Sequence, residues 1–264
     1  MPMTDENVPN RPLAIVTGAS SGIGRELAFK AALRGYRLLL VSRNEFALKE
    51  LQRSLRTRAD ILALDLKEES SIDRILSWLS EREITPELLI NNAGFGAFGE
   101  AVDMESDMLL SMIRLNVEAV TMLSVKIGRR MAAAGRGHIL NVASTAAFQA
   151  CPNLAVYGAT KAYVLSLSEA LHEELKPRGV TVTALCPGPT RTNFGINAGL
   201  EKDSPFDRWA TEPENVARTG FNAMMRDEAF VVDGVLNKVV AFAAQIAPRG
   251  WAAAIAGRLL KKMK

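Results

Sequence analysis

A hydroxyl, a phenol and an amine are spaced along one stretch of the chain so that they could act together on a proton. Ser144, Tyr157 and Lys161 lie within the segment STAAFQACPNLAVYGATK. If the residues around Tyr157 are helical, side chains four residues apart share one face. A nearby positive charge lowers a phenol pKa from its reference of about 10, which makes a tyrosine a usable proton donor and acceptor. An ordinary helix with a partly buried tyrosine and a solvated lysine has the same spacing, so the rest of the chain must decide.

Length and composition are typical of a globular α/β protein. The chain has 264 residues, of which 48% are hydrophobic and 23% charged, and we predict a single domain over residues 1–264. A net charge of +3 and the lack of arginine–aromatic interleaving argue against nucleic-acid binding. Two cysteines, Cys151 and Cys186, and two histidines indicate neither a disulfide framework nor a metal site.

The ends of the chain and its apolar runs bear on its location. The first ten residues, MPMTDENVPN, are polar and acidic and do not show a signal-peptide pattern. No run of about 18 uninterrupted apolar residues occurs, so we predict no transmembrane helix. The expected location is the cytoplasm.

A short apolar run feeds a glycine-rich loop and then an amphipathic segment. Leu13–Thr17 is typical of a strand buried on both faces, and GASSGIG follows at Gly18–Gly24. Strand, glycine loop and helix form the context that a dinucleotide fingerprint requires. Gly18 permits the tight turn, Gly22 lets the backbone approach phosphate, and Gly24 allows close helix–strand packing. A merely tight loop would also contain glycines, but its flanks favour the nucleotide.

Strand-like and helix-like segments then alternate along the chain. The further predicted strands are Tyr36–Val41, Ile61–Leu64, Leu88–Ile90, His138–Val142, Val180–Leu185 and Phe230–Val232. Predicted helices include 44–58, 70–83, 106–134 and 156–176. The pattern indicates a Rossmann-type doubly wound parallel sheet of about seven strands with helices on both faces. Ligands of such a sheet bind beyond the carboxyl ends of its strands.

Two polar residues in this pattern are candidates for a functional role. Arg43 follows the second strand where a cofactor with a free ribose 2′-OH is usually met by an acid, so it favours NADP(H) over NAD(H). Arg43 could otherwise simply begin a solvated helix. Asn116 lies among apolar residues in the middle of a long helix. It is either an exposed or locally satisfied amide, or a buried polar hinge that faces the site.

With these motifs in this order, the chain resembles the short-chain dehydrogenase/reductase family. TGASSGIG, NNAG at Asn91–Gly94, the serine before YGATK, and PGPTRT all match the family pattern, over about residues 13–194. Within the family it is most similar to NADP(H)-dependent ketoacyl and hydroxysteroid reductases. Ser21 stands where many NADP-using members have a basic residue, which leaves that specificity to Arg43.

The resemblance implies a mechanism and a set of site residues. Tyr157 would be the general acid–base, Lys161 would lower its pKa and bind the nicotinamide ribose, and Ser144 would hold the substrate oxygen. Asn116 would hold a water that links Lys161 to solvent, and Asp65 would meet the adenine. The implied cofactor contacts are Gly18, Ser20, Ser21, Gly22, Ile23, Gly24, Arg43, Asp65, Leu66, Asn92, Ala93, Gly94, Tyr157, Lys161, Pro187, Gly188, Thr190 and Thr192.

Two further segments bear on the substrate and on partners. Residues 193–212, which include Phe194, Ile196, Leu200, Phe206 and Trp209, are predicted to form a substrate lid, with Phe95 and Phe98 opposite. Apolar lid residues indicate an apolar carbonyl compound, although they could equally pack the lid down. Residues 235–264 form a basic amphipathic extension, expected to split at Pro248 and to dock on its own domain, another subunit or an anionic membrane.

The sequence therefore predicts an NAD(P)(H)-dependent oxidoreductase of a small carbonyl or alcohol substrate, with NADP(H) preferred and NAD(H) as the alternative. The resemblance implies a homodimer or homotetramer. Two other hypotheses remain. One is a nucleotide-binding sensor or scaffold without turnover, and the other is a membrane-surface reductase of lipid-like substrates. The sequence does not name the substrate.

Overall fold

The structure is a computed structural model that describes residues 11–199 and 210–261, and its centre is a parallel β-sheet. Its seven strands are β1 (Leu13–Thr17), β2 (Arg37–Ser42), β3 (Ala59–Ala63), β4 (Leu88–Asn91), β5 (Gly137–Val142), β6 (Val180–Cys186) and β7 (Phe230–Val232). Their order across the sheet is β3-β2-β1-β4-β5-β6-β7. The Rossmann-type fold predicted from the sequence is confirmed.

Helices connect the strands. They are α1 (Gly22–Leu33), α2 (Glu45–Ser54), α3 (Glu69–Ser80), α4 (Ser106–Ile113), α5 (Val120–Ala134), α6 (Ala155–Leu175), α7 (Phe194–Asn197), α8 (Pro213–Met225), α9 (Val235–Ile246) and α10 (Arg249–Lys261). A π-helical segment, Arg114–Ala119, joins α4 to α5, and short 3₁₀ turns lie at Ala101–Asp103, Thr145–Phe148 and Lys176–Arg178.

Helices cover both faces of the sheet, and alternate residues of each strand point to opposite faces, so both sets of side chains are buried. Ala14 and Val16 join the apolar cluster packed by α1 and α8, whereas Ile15 joins the cluster packed by α3, α5 and α6. All five residues of β1 are buried. This explains why the strands read as continuous apolar runs.

The chain reverses direction across the sheet between β1 and β4. After β1 it builds β2 and β3 on one side, and it then returns to place β4 on the other side of β1. In such a sheet a crevice opens at the carboxyl ends on either side of the reversal. This topology fixes where a site can form.

Element boundaries differ from the sequence predictions by a few residues. The helix predicted over residues 44–58 ends at Ser54, because Leu55 turns to an extended conformation and β3 begins at Ala59 beside Leu38. The third strand therefore starts two residues before the predicted Ile61. The strand pattern could not reveal this shift, since Ala59 and Asp60 are not typical strand residues.

One helical stretch among the described residues, Ser106–Ala134, is long and apolar enough by length and composition to cross a membrane. Its polar residues, however, are used within the protein. Asn116 and Ser124 are fully buried, and the Ser124 hydroxyl accepts a hydrogen bond from the Asn91 side chain at the end of β4. These contacts identify the stretch as a helix that packs on the sheet.

Candidate active site

A cleft with a volume of about 870 Å³ lies at the carboxyl ends of β1, β4, β5 and β6. Its lining includes eighteen of the residues that sequence and resemblance singled out, from Gly18 in the first loop to Thr192 after the sixth strand. Gly24 and Asn116 do not line it, and each supports residues that do. Such a volume suits a small molecule or an organic cofactor.

The glycine loop adopts a backbone that side chains would not allow. Gly18 and Gly22 have φ of +62° and +54°, in the left-handed region that glycine occupies without penalty. Ser21 is the N-cap of α1, and its side chain makes no capping hydrogen bond. The N–H groups of the first turn therefore face the cleft without helical partners, as an anion-binding helix end requires.

Asn92 ties the glycine loop to the end of β4. Its side-chain amide donates to the carbonyl oxygens of Thr17 and Gly18, both at 3.1 Å. A Cβ on Gly24 would collide with this amide and with the Gly18 carbonyl. Gly24 thus provides the close packing predicted from the sequence, and it does so beneath the cleft rather than in it.

Tyr157 and Ser144 meet in the centre of the cleft. Tyr157 lies in the first turn of α6 and is buried, with its ring against that of Phe194 at a centroid distance of 5.3 Å. Ser144 caps the short 3₁₀ turn after β5, where its hydroxyl accepts from the Ala146 N–H at 3.1 Å. Burial raises the pKa of Tyr157 to about 12, and a hydrogen bond with Ser144 opposes that rise.

The direction of the Tyr157 pKa shift is the opposite of the expected one. The Lys161 ammonium donates to the Val142 carbonyl at 2.7 Å and lies 5.8 Å from the centroid of the Tyr157 ring. Burial also lowers the pKa of Lys161 to about 8. Desolvation therefore dominates both groups, and a spacing of four residues cannot reveal how much water surrounds them.

Asn116 is a buried polar residue in the π-helical segment between α4 and α5. Its side chain accepts from the Phe95 N–H at 3.1 Å, and donates to the Phe95 carbonyl at 2.9 Å and to the Thr160 hydroxyl at 3.1 Å. A Cβ on Gly94 would lie 3.0 Å from the Asn116 oxygen and 3.4 Å from the Lys161 nitrogen. Asn116 is therefore fully buried and its amide is satisfied locally, so it combines features of both alternatives.

Arg43 and Asp65 lie together at the ends of β2 and β3. Their side chains approach to 3.8 Å, and Arg43 remains 70% exposed. The next residue, Asn44, caps α2 by accepting from the Ala47 N–H at 3.0 Å. Lys67 is also within 3.4 Å of Asp65. An anion in this corner would meet two cations and the positive end of a helix.

The base of the predicted lid is fixed by its two ends. Thr190 pairs with Thr211 in an isolated bridge, and the Arg191 guanidinium lies 2.9 Å from the Glu212 carboxylate. Between them the chain forms the short helix α7, whose Phe194 and Asn197 line the cleft. Leu200, Phe206 and Trp209 lie outside the described residues.

Several residues that line the cleft were not predicted from the sequence. Gln149, Cys151 and Leu154 lie between Ser144 and Tyr157, and helices α9 and α10 cover the same end of the cleft. These helices, which we call the C-terminal helix pair, contribute Val240, Ala243, Ala244, Ala247, Ala252, Ile255 and Ala256. The spacing of these alanines, three or four residues apart, indicates one close-packed side of each helix. It does not indicate which part of the protein packs against that side.

Comparisons with known proteins agree with this geometry. The family described as short chain dehydrogenase matches residues 12–203. An uncharacterized short-chain type dehydrogenase/reductase of Sinorhizobium fredii is 36% identical over 213 residues, which cover 78% of this chain and 82% of that protein.

Two solved structures have the same fold. A short-chain dehydrogenase of Sphingobium yanoikuyae in complex with NADPH is 31% identical, with a TM-score of 0.79 and coverage of 85% of this chain and 88% of that one. A bulky-bulky ketone specific alcohol dehydrogenase of Comamonas testosteroni is 28% identical, with a TM-score of 0.74 and coverage of 91% and 96%.

Proposed function

We propose a reaction for this chain from the premise that it belongs to the short chain dehydrogenase family, as the match over residues 12–203 shows. It is an NAD(P)(H)-dependent oxidoreductase that transfers a hydride between a nicotinamide and a carbonyl or alcohol carbon. The reaction that we propose is the reduction of a bulky apolar ketone by NADPH, with Tyr157 as the proton donor. The observation that carries it is the convergence of Ser144, Tyr157 and Lys161 in one cleft with an anion-binding loop.

The residues of the cleft fit a dinucleotide. The unpartnered N–H groups at the start of α1 would hold the pyrophosphate, and the glycines at positions 18 and 22 let that group approach the backbone. Asp65 and Leu66 would line the adenine, and Thr190 and Thr192 the nicotinamide end. When bound, the reduced nicotinamide supplies the hydride.

We propose that NADP(H) is preferred over NAD(H). Arg43 is exposed at the mouth of the cleft, and no acidic residue precedes Glu45 after β2. A guanidinium binds a 2′-phosphate through paired hydrogen bonds, and the N-terminus of α2 adds a favourable dipole. The NADPH bound to the Sphingobium relative supports this preference.

Each catalytic side chain has a distinct proposed role. A raised pKa keeps the Tyr157 phenol protonated at neutral pH, which is the form that donates a proton to a nascent alkoxide. Ser144 would donate to the same oxygen and stabilise the charge that develops there. Lys161, buried and bonded to the Val142 carbonyl, would hold the nicotinamide ribose. Asn116 would help to position Lys161 by holding the Phe95 backbone and the Thr160 hydroxyl in place.

Apolar side chains line the cleft that holds Tyr157. Among them are Phe194, which packs against the Tyr157 ring, and Leu154, Val240 and Ile255. Such walls favour a bulky hydrocarbon substituent on each side of the carbonyl. The bulky-ketone enzyme of Comamonas supports the same substrate class.

The remaining assignments concern organisation and location. We propose that residues 1–264 act as one catalytic unit, with 193–212 as its lid. Exposed apolar residues on α4 to α6, such as Leu110, Ile113 and Val125, support a homodimer or homotetramer through those helices. Two free buried cysteines fit a reducing cytoplasm. We also propose that the C-terminal helix pair makes peripheral contact with a membrane.

The decisive experiment is a substrate panel. Purified protein is mixed with NADPH that carries deuterium at C4, and with aldehydes and ketones of increasing apolar bulk. We expect nucleotide consumption and deuterium in the product alcohol, with the highest kcat/KM for bulky ketones. Tight NADPH binding without turnover of any carbonyl would instead support the sensor or scaffold.

A further inference from the structure

The C-terminal helix pair exposes large apolar side chains that do not line the cleft. Its large exposed side chains are Val235, Leu236, Val239, Phe242, Ile246 and Trp251, which we call the outer apolar face. Trp251 is 72% exposed and Phe242 65%. On α9 the residues at 235, 239, 242 and 246 follow helical spacing and form one stripe. A surface that concentrates this much apolar area marks an interaction site.

The charge of the same segment is of one sign. From Lys238 to Lys264 the sequence has six basic residues, Lys238, Arg249, Arg258, Lys261, Lys262 and Lys264, and no acidic one. Lys238 is exposed four residues before Phe242, and Arg258 is exposed three residues after Ile255. Lys238 thus borders the apolar stripe on α9, and Arg258 follows Trp251 and Ile255 along α10, as in helices that lie in the interface of an anionic bilayer.

The outer apolar face is continuous with the mouth of the cleft. Val240 and Ile255 line the cleft and remain 51% and 56% exposed. Val240 follows Val239 of the outer apolar face, and Ile255 lies one helical turn after Trp251. The helix pair is anchored on either side of this mouth. Asn237 packs where a Cβ on Gly188 would stand, and Gly257 packs against Pro152.

We propose that the C-terminal helix pair docks on an anionic lipid bilayer, and that an apolar carbonyl compound dissolved in that bilayer enters the cleft between Val240 and Ile255. The docking stands on exposure and charge alone, whereas the identity of the molecule that enters rests on the proposed reductase function. Phe242 and Trp251 lie in the acyl–headgroup boundary, and Lys238 and Arg258 contact lipid phosphates. Substrate then reaches Tyr157 without crossing water.

A second copy of the chain fits this surface less well than a bilayer does. A two-fold interface places the same patch of both subunits together. Because the sequence from Lys238 to Lys264 has no acidic residue, the cations of this patch would find no opposite charge in their copy, and like charges across an interface are unfavourable. Anionic headgroups neutralise the same cations, so the charge pattern favours lipid.

Docking is tested by co-sedimentation of the full-length protein with vesicles of phosphatidylcholine, with and without phosphatidylglycerol. We expect binding to the anionic vesicles that weakens at high salt. The double variant Phe242→Ala/Trp251→Ala should bind at least about tenfold more weakly, because two large side chains no longer enter the interface. Phe46→Ala is the matched control, since Phe46 is 70% exposed on α2, away from the helix pair, and its loss should not change binding.

Three outcomes would overturn the docking. These are no binding to anionic vesicles, equal binding by the double variant, and a dimer that dissociates in the double variant without any vesicle binding. The last result would assign the outer apolar face to a second copy. None of these measurements requires turnover, so failure of the reductase proposal would not be mistaken for failure of docking.

The entrance is tested by turnover of a long-chain ketone held in anionic vesicles, beside a small water-soluble ketone. The double variant Phe242→Ala/Trp251→Ala, whose residues do not line the cleft, should keep turnover of the small ketone but reduce turnover of the vesicle-borne ketone about tenfold or more. Equal turnover of both ketones in wild type and variant would refute entrance from the bilayer. If neither ketone is reduced by the wild type, the reductase proposal fails and docking stands on its own test.

Discussion

The two ends of the cleft are built by different means. The glycine-loop end, made by Gly18–Gly24, Arg43, Asp65 and Asn92–Gly94, depends on backbone conformation and on N–H groups at a helix start. The helix-pair end, made by Gln149–Leu154, Phe194 and the C-terminal helix pair, depends on side chains far apart in sequence. The first end can be recognised from a few consecutive residues, and it leaves little room for variation. The second can change its lining without changing the fold.

The largest expected effect lies where the two ends meet. Tyr157→Phe removes one hydroxyl and keeps the ring against Phe194. We expect kcat for ketone reduction to fall about 10³-fold, since general acid catalysis contributes 10² to 10⁴. The dissociation constant of NADPH, measured by fluorescence titration, should change far less, because the helix start that would hold the pyrophosphate is untouched. A parallel loss of NADPH binding would show that the two ends do not operate separately.

The dependence of the glycine-loop end on backbone is tested by Gly18→Ala. Alanine there would be strained at φ +62° and would approach Ala93 Cα to 2.9 Å. We expect the free energy of unfolding in urea to fall by about 2–4 kcal/mol, from strain and overpacking together.

Gly35→Ala is the matched control for this change. Gly35 has φ +87°, but a Cβ there has no neighbour within 4 Å among the described residues. We expect a loss of only about 1–2 kcal/mol from the left-handed backbone. Equal losses in both variants would mean that close packing at Gly18 contributes nothing.

The glycine-loop end could be predicted from the sequence better than the helix-pair end. The glycine loop, Arg43 and Ser144–Tyr157–Lys161 could be recognised because short spacings in strand–loop–helix contexts fix where these residues lie. The role of the C-terminal helix pair could not, because its alanines line the cleft together with residues such as Leu154 and Phe194, which are distant in the chain. The Tyr157 pKa was misjudged for a related reason. Pairwise spacing reports charge proximity, whereas burial depends on the whole fold.

The desolvation of Lys161 predicts that the stability of the protein depends on pH. The pKa of Lys161 falls from 10.5 to about 8 on folding, so between these values the unfolded chain binds more protons than the folded one. Stability from this group therefore rises with pH from about 8 to 10.5, by at most about 3 kcal/mol. Lys161→Met should lack this rise when urea unfolding is measured across that range.

Tyr157 acts in the opposite direction and at higher pH. Its pKa is raised from 10.0 to about 12, so the folded protein retains the phenol proton and loses stability only above pH 10. Tyr157→Phe should remove that later decline and leave the rise from pH 8 unchanged. A wild-type curve that is flat between pH 8 and 10 would contradict the burial of Lys161.

A smaller effect tests cofactor choice at the glycine-loop end. Arg43→Asp should weaken NADPH binding about 10- to 100-fold and leave NADH binding nearly unchanged, since only the former has a 2′-phosphate. Arg53→Asp, on the same helix but near its other end, is the control. Equal weakening of both nucleotides would refute the assignment of Arg43 to the phosphate.

The smallest expected effect concerns a polar atom at the helix-pair end. Gln149 lines the cleft, and its side-chain oxygen is buried without a hydrogen-bond partner in the described part of the chain. A buried acceptor of this kind favours a ligand that brings a donor, and it penalises plain hydrocarbon. Gln149→Leu should therefore lower KM for unsubstituted apolar ketones about threefold to tenfold, and raise KM for hydroxyketones by a similar factor. A uniform rise in KM for both classes would show that Gln149 shapes the wall of the cleft rather than selecting the substrate, and the helix-pair end would then discriminate by bulk alone.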